Sequence, residues 1–331
     1  MGRYVRSVLR EFATRFADRV HLTLLVPDLL PGLVAQRYVE DLPGDVAIAR
    51  RIGPRALDVV WYPWNGMTWP SPLTSVATVH DVWPFVMPAA DARVRAREQT
   101  QYRETAERAA LIIAVSEFTK RETMRLLGVE PERIRVIHQG IPPPIAVAEP
   151  ARIAGSSRYV LFVGEVEPRK DVGTLIEAMS RLPDDLRRET ALVVVGRADG
   201  LSPRSANDFR LELAGEIGDD TQLAALYAGA AAFAFPSKYE GFGLPVLEAM
   251  SYGAPVVASD AASIPEVGGD AALYFRCGDA GALSEALARV LRDPALAARM
   301  ADAGRARAAQ FDETTRARKT LEVLEASAPR R

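Results

Sequence analysis

The chain has 331 residues, 48% of them apolar and 25% charged, with a net charge of −2. That length exceeds one ordinary domain and fits two of α/β size, while the charge balance gives no ground for nucleic acid as a partner. Cys277 is the single cysteine, which excludes an internal disulfide framework and suits a reducing cytoplasm; no apolar run reaches spanning length, and the N-terminus lacks the apolar core of a secretion signal.

Tyr4, Val5, Val8, Leu9, Phe12 and Phe16 recur at helical spacing, so the chain opens on a helix. Up to Val20, five arginines outnumber Glu11 and Asp18, a local charge of +3. Those arginines read as the solvated face of a domain helix, or, more sharply, as a contact with an anionic membrane surface. Strands are expected at Val20–Val26, Val46–Ala49, Leu57–Tyr62, Ser75–Val79, Leu111–Val115 and Ile134–Ile137, with helices at Ala92–Ala109 and Glu117–Leu127. This alternation predicts a parallel sheet, whose ligands bind beyond the carboxyl ends of the strands. His80, Ser116 and Gly140 fall at such ends. Asp81 beside His80 suits either fixing the imidazole tautomer or capping a helix. All four tryptophans lie between Trp61 and Trp83, around the turn-rich run Asn65–Pro70. They predict a surface that stacks on sugar rings or a local packed core.

The proline-rich stretch from Pro142 to Ser157 has neither helical nor strand period and reads as a linker. Tyr159–Val163 is then a buried strand ending at Gly164, followed by Glu165–Asp171 and a helix over Val172–Leu182. Adjacent cations at Arg169 and Lys170, just after a strand and at a helix start, oppose the helix dipole. They make sense against a diphosphate, the arginine as a forked donor and the lysine as a point charge. Further strands are expected at Ala191–Val195, Leu211–Ile217, Pro255–Ala258 and Ala271–Phe275, and helices at Ala280–Leu291, Pro294–Gln310 and Glu313–Ala326.

The most informative stretch is Pro236–Met250, reached from the apolar strand Ala231–Phe235. Leu244-Pro245 opens a helix, where proline is tolerated, and Gly241 and Gly243 let the backbone approach a ligand. The N–H groups of Phe242, Gly243 and Leu244 then favour an anion. Glu240 stands just outside this end and Glu248 lies one to two turns inside the helix. Singly, the first reads as a capping carboxylate and the second as a solvated helix residue.

Taken as one string, Glu240 and Glu248 resemble the Glu-x7-Glu motif of retaining glycosyltransferases of family 4, which have the GT-B architecture. The likeness runs from Arg3 to about Arg318. It implies an α/β fold of two Rossmann-like domains with parallel sheets facing across a cleft. Residues 1–145 would be the acceptor-side domain, 146–157 a linker, 158–311 the nucleotide-sugar domain and 312–331 a helix returning to the first domain. It implies that Glu240 faces the donor sugar, Glu248 binds the ribose, and Arg169 and Lys170 hold the diphosphate. His80, in Thr78–Asp81, would approach the donor sugar, and Ile217 and Leu223 would touch the base. Ser116–Thr119 would line the cleft, and Ser263–Val267 would pack near the donor. Asp171 departs from the family's asparagine.

The implied activity is transfer of a hexose with retained configuration from a nucleotide sugar to a glycan or lipid-linked acceptor, in surface-polysaccharide assembly. The string Pro236–Met250 with Glu167–Lys170 is most similar to bacterial mannosyltransferases using GDP-mannose; a UDP-sugar is the alternative. The Asn65–Pro70 region would receive the acceptor. No cofactor and no metal is expected, because the chain holds no Asp-x-Asp pair and no cluster at metal-ligand spacing. A cytoplasmic protein, in peripheral contact with the inner membrane face on the sharper reading of the first helix, is the matching location.

Three other classes compete. An oxidoreductase would need a third glycine where Val246 stands. A non-catalytic sugar-nucleotide binder would not need Glu240, Arg169, Lys170 and His80 together, and a phosphorylase would need a cofactor-lysine context that the chain lacks. Gly2–Val5 resembles the end of a glycine-rich loop that in the family follows a first strand. The likeness therefore carries the expectation that the first domain lacks that central strand, and that the native protein has roughly 15–20 further residues before Met1.

Overall fold

The computed structural model describes residues 3–25, 46–49, 57–69, 71–87, 91–153, 155–202 and 208–329. Val26, Pro70 and the Met1-Gly2 start therefore lie outside the described residues. The chain divides into two compact units: Met1–Gly140 with Phe311–Arg331, and Ile141–Gln310.

In the first unit, β3 (Val60–Tyr62), β4 (Ser75–Val79), β5 (Leu111–Ala114) and β6 (Ile134–Val136) form a parallel sheet in chain order. A separate parallel pair joins β1 (Thr23–Leu25) to β2 (Ala47–Ala49). Alternation along the central strands sends Val76 and Ile113 to one face, and Ala77, Ile112 and Ala114 to the other, all fully buried. The first face is covered by α1 (Arg3–Arg15) through Tyr4, Val5, Val8 and Phe12, together with Ala317, Leu321 and Leu324 of the last helix, Glu313–Ser327. Arg6, Arg10 and Arg15 stay exposed on α1. Helices α2 (Trp83–Val86), α3 (Ala92–Arg108) and α4 (Glu117–Leu127) follow the strands, and Tyr102 and Ala109 close the second face.

The second unit holds six parallel strands in the order β12-β11-β10-β7-β8-β9. These are β7 (Arg158–Val163), β8 (Thr190–Val195), β9 (Leu211–Gly215), β10 (Ala232–Phe235), β11 (Val256–Ser259) and β12 (Ala272–Phe275). Runs such as Tyr159–Phe162 and Ala232–Phe235 are apolar at every position because helices cover both faces. The chain leaves β7 toward β8 on one side and returns beside β7 as β10 on the other, so the strand order reverses there. Ligands in open α/β sheets bind at the carboxyl ends of the strands at such a reversal. Its helices include α5 (Val172–Ser180), α6 (Asp184–Glu189), α7 (Asp220–Gly229), α8 (Leu244–Ser251) and α9 (Ile264–Gly268), then α10 (Ala280–Arg292) and α11 (Pro294–Ala308); α12 is Glu313–Ser327 of the first unit.

The second unit starts earlier than the linker reading suggests. Ala151 N donates to Ala225 O at 2.9 Å and Ile145 N to the Tyr252 hydroxyl at 3.3 Å, which ties the proline-rich segment to this unit. Short α2 and α6 were not expected, since four and six residues are too few to show a helical period.

Candidate active site

The reversal point carries the charged groups. Beyond β7, Gly164 has φ +151°, and Pro168–Lys170 form one 3₁₀ turn before α5. Beyond β10, Ser237–Gly243 lead into α8. The two loops are joined by a backbone bond, Lys238 N to Arg169 O at 2.7 Å. Glu240 sits between the cations: Lys170 Nζ lies 2.6 Å from its Oε1 and Arg169 Nη1 3.1 Å from its Oε2. Arg169 Nη2 also meets Glu167 Oε1 at 2.6 Å. Lys170 and Glu240 are each only 7% exposed, so removing either partner would leave an uncompensated buried charge. Lys170 Nζ stands 5.1 Å above the Phe235 ring, which adds a cation–π attraction.

Gly243 precedes α8 with φ +103°, a left-handed conformation for which glycine is the suitable residue. Pro245 follows in the first turn. The loop is held from below by Ser263, whose hydroxyl lies 2.8 Å from both Glu240 O and Phe242 O. The Ser263–Val267 stretch is thus the N-cap and most of short α9, and its serine supports the glycine loop. Inside α8, half-buried Glu248 accepts a hydrogen bond from the Tyr227 hydroxyl at 2.9 Å. Glu240 accordingly does not cap the helix, and Glu248 is no freely solvated side chain. Leu223 is buried on α7, and Ile217 is half-buried in the loop ahead of that helix.

Asp171 occupies a left-handed conformation, φ +50° and ψ +41°, which aspartate tolerates as asparagine does. Its carboxylate accepts from Thr174 Oγ1 at 2.7 Å and pairs with Lys238 Nζ at 2.9 Å. The departure from asparagine is therefore matched by a lysine in the facing loop.

In the first unit, His80 directly follows β4 and is 7% exposed. Its Nε2 lies 3.0 Å from the Pro63 carbonyl, which can only accept, so Nε2 carries the proton. Nδ1 is then the acceptor for Gln139 Nε2 at 3.2 Å. Burial lowers the imidazole pKa to about 4; the bond to Pro63 opposes this and Arg316 adds to it. The Tyr4 ring meets the imidazole edge-on, 4.6 Å between centroids, and Trp64 covers it at 4.5 Å. Pro63 and Gln139, rather than Asp81, fix the tautomer; Asp81 instead accepts from Trp83 N at 3.0 Å at the start of α2. Ser116 caps α4 by accepting from Thr119 N, and Thr119 Oγ1 donates to His80 O at 3.3 Å. Gly140 packs against the backbone of Asp312, where a Cβ would come within 2.5 Å.

The tryptophans divide between both readings. Trp61 is half-buried and donates to Thr78 Oγ1, whereas Trp64 and Trp69 are 54% and 38% exposed. Both exposed rings line a cavity of about 920 Å³ in the first unit. Among the described residues, no helix is long and apolar enough to cross a membrane, and no group of three or more His, Cys, Asp or Glu side chains is placed to hold a metal ion.

Sequence reasoning did not single out Tyr227, Gln139, Lys238 or the pairing of Arg169 with Glu167. Glu167 lies in the Glu165–Asp171 run, but nothing in its spacing distinguishes a pairing carboxylate from a solvated one. Gln139 adjoins Gly140, yet its partner His80 is 59 positions away.

Residues 147–307 match the family model for Glycosyl transferases group 1, and residues 2–143 that for Glycosyltransferase Family 4. The chain is 33% identical over 193 residues to the O-antigen chain mannosyltransferase B of Escherichia coli, covering 54% of this chain and 50% of that protein. It is 29% identical over 166 residues to the D-inositol 3-phosphate glycosyltransferase of Mycobacterium tuberculosis, covering 45% of this chain and 33% of that one. The matched stretches thus span half or less of these curated relatives. Among solved structures, Anabaena Alr3699/HepE in complex with UDP and glucose superposes with a TM-score of 0.70 at 20% identity, over 97% of this chain and 95% of that one. Sucrose-phosphate synthase from Thermosynechococcus elongatus gives 0.73 at 20% identity, over 98% and 92%. These likenesses show the GT-B fold. Residues 2–143 thus match a Glycosyltransferase Family 4 domain and residues 147–307 a Glycosyl transferases group 1 domain, in a chain with the GT-B fold.

Proposed function

We propose that the protein transfers a hexose, with retained configuration and without a metal ion, from a nucleotide sugar to a glycan or lipid-linked acceptor. The observation that carries this reading is the convergence of Arg169 and Lys170 on Glu240 at the strand-order reversal, beside the amino end of α8. In the transfer, the bond from the anomeric carbon to the diphosphate breaks and one to the acceptor oxygen forms. The acceptor's proton passes to the departing phosphate oxygen, so no base from the protein is required. Negative charge grows on the diphosphate and positive charge on the sugar. Fixed donors aimed at that growing charge lower the barrier most. Arg169, Lys170 and the N–H groups at the start of α8 serve the diphosphate, in place of a divalent ion. Glu240 both orients those cations and faces the positive sugar, a role distinct from a glycosidase nucleophile. Glu248 takes the ribose hydroxyls, with Ile217 and Leu223 against the base.

GDP-mannose is the preferred donor, supported by mannosyltransferases from Escherichia coli among the relatives. A UDP-sugar is the second reading, favoured by the UDP-glucose complex of the Anabaena protein. Exposed Trp64 and Trp69 suit stacking on an acceptor sugar. The exposed arginines of α1 suit peripheral contact with an anionic membrane surface from the cytoplasmic side.

A thermal-shift panel of nucleoside diphosphates and their sugars, followed by turnover of a labelled donor, tests the proposal. At a ligand concentration 100 times Kd, the matching nucleotide stabilises by about 2.7 kcal/mol. No shift with any nucleoside diphosphate refutes it. Binding without turnover moves the protein to the non-catalytic class, and a nicotinamide-dependent shift to the oxidoreductases.

A further inference from the structure

The second unit contains a run of contacts ending at Glu248 that the sugar-transfer reading leaves unused. Tyr227, on α7, is 1% exposed and donates its phenol proton to Glu248 Oε2 at 2.9 Å. Its ring is held between Phe233, at 5.7 Å, and Tyr252, which stacks at 5.9 Å with the ring planes 2° apart. Tyr252 in turn accepts from Ile145 N in the segment that enters the unit. A phenylalanine would fill the slot between Phe233 and Tyr252 equally well. Packing therefore does not explain the hydroxyl.

We propose that Tyr227 is the positioning residue that sets the Glu248 carboxylate for the two ribose hydroxyls of the donor nucleotide. This inference rests on the ribose role given to Glu248 above. A glutamate on a helix has three rotatable side-chain bonds, and a half-buried one samples several rotamers. One charge-assisted bond from a rigid, buried phenol removes that freedom, since the tyrosine itself has only two rotatable bonds fixed by packing. With Oε2 anchored, the plane of the carboxylate is set in one direction, as recognition of a vicinal diol requires. Leu223 lies one turn before Tyr227 on the same face of α7. The helix that sets the ribose carboxylate thus also carries a residue assigned to the base.

The test measures dissociation constants of GDP and UDP and of their 2′,3′-dideoxy forms by calorimetry on the full chain. The parent protein should prefer the ribose form, and Glu248→Ala should erase that preference. Tyr227→Phe should keep the melting temperature and reduce the preference about tenfold, the scale of one misplaced charge-assisted hydrogen bond. Each ratio is taken on a single protein, so a general loss of stability does not move it. Tyr227→Phe with the parent's ratio, or with both forms weakened equally, overturns the inference and leaves the ribose role of Glu248 standing. A parent protein without ribose preference removes that role, and the inference with it.

Discussion

Replacing Glu240 by glutamine tests the charged cluster most directly. Glutamine has the same shape, but its amide nitrogen cannot face a cation, so of Lys170 at 2.6 Å and Arg169 at 3.1 Å only one keeps an acceptor. Arg169 retains Glu167 and is about a quarter exposed, whereas Lys170 is 8% exposed by side chain. The loss therefore falls mainly on Lys170. Removing one partner of a buried pair destabilises by roughly 3–5 kcal/mol, and the acceptor that glutamine keeps reduces this to about 2 kcal/mol. For a unit of this size, that lowers the melting temperature by about 4–8 °C. Diphosphate affinity should move the other way, because the cations lose a competing carboxylate and a bound diphosphate resupplies the charge. Turnover should fall at least about tenfold, or 1.4 kcal/mol of barrier, since Glu240 no longer faces the developing positive charge. Differential scanning fluorimetry, calorimetry with GDP and UDP, and labelled-donor transfer read the three quantities separately. An unchanged melting temperature refutes the buried pair as a stabilising contact. Full turnover refutes the catalytic role, whatever the stability shows.

Glu248→Ala and Arg169→Ala should each weaken binding of the matching nucleoside diphosphate by about 1.5–3 kcal/mol, and calorimetric affinities equal to the parent's in both would sink the site assignment. Transfer in excess chelator should match transfer with added magnesium; activity lost on chelation and restored by the metal would show that Arg169 and Lys170 do not replace a divalent ion. His80 titrates near pH 4 in the folded protein against 6.5 unfolded, so the unfolded chain binds more protons in that window. Its contribution is fully present above pH 6.5 and falls by about 3 kcal/mol as the pH drops through 4; His80→Asn should flatten the difference in denaturant stability between pH 7 and pH 4.5, and an unaltered slope counts against the buried neutral ring.

Much of this architecture was legible because parallel strands buried on both faces leave uninterrupted apolar runs. Ser75–Val79 and Glu117–Leu127 coincide with the expected segments, and the other expected segments differ by a few residues at their ends, whereas short α2 and α6 had no expected counterpart. The glycine loop was equally plain, since a positive φ at Gly243 and Pro245 in the first turn follow from local stereochemistry. Contacts across long sequence separations were not. Whether a carboxylate meets a cation 70 positions away depends on which strands become neighbours, and the reversal that puts β10 beside β7 has no local mark. The same holds for His80: its neighbour in sequence is Asp81, while its ring partners are Pro63 and Gln139.

That arrangement bears on how a hydroxyl acceptor could lose its proton. A general base needs a lone pair within reach of the substrate and a pKa near the working pH. Neither nitrogen of His80 meets this, because Nε2–H is committed to Pro63, Nδ1 to Gln139, and the pKa lies near 4. What the residue presents is a neutral ring edge between Tyr4 and Trp64 and a main-chain carbonyl tied to Thr119. A neutral ring held in this way supports its neighbours without moving protons. Glu240, for its part, has both oxygens engaged by cations. In the proposed transfer, the departing phosphate oxygen gains charge as the glycosidic bond lengthens, so its basicity rises at the moment the acceptor's proton must leave. On the proposed mechanism, proton acceptance by that oxygen leaves His80 a structural role and Glu240 an electrostatic one, in agreement with the hydrogen bonds each of them makes.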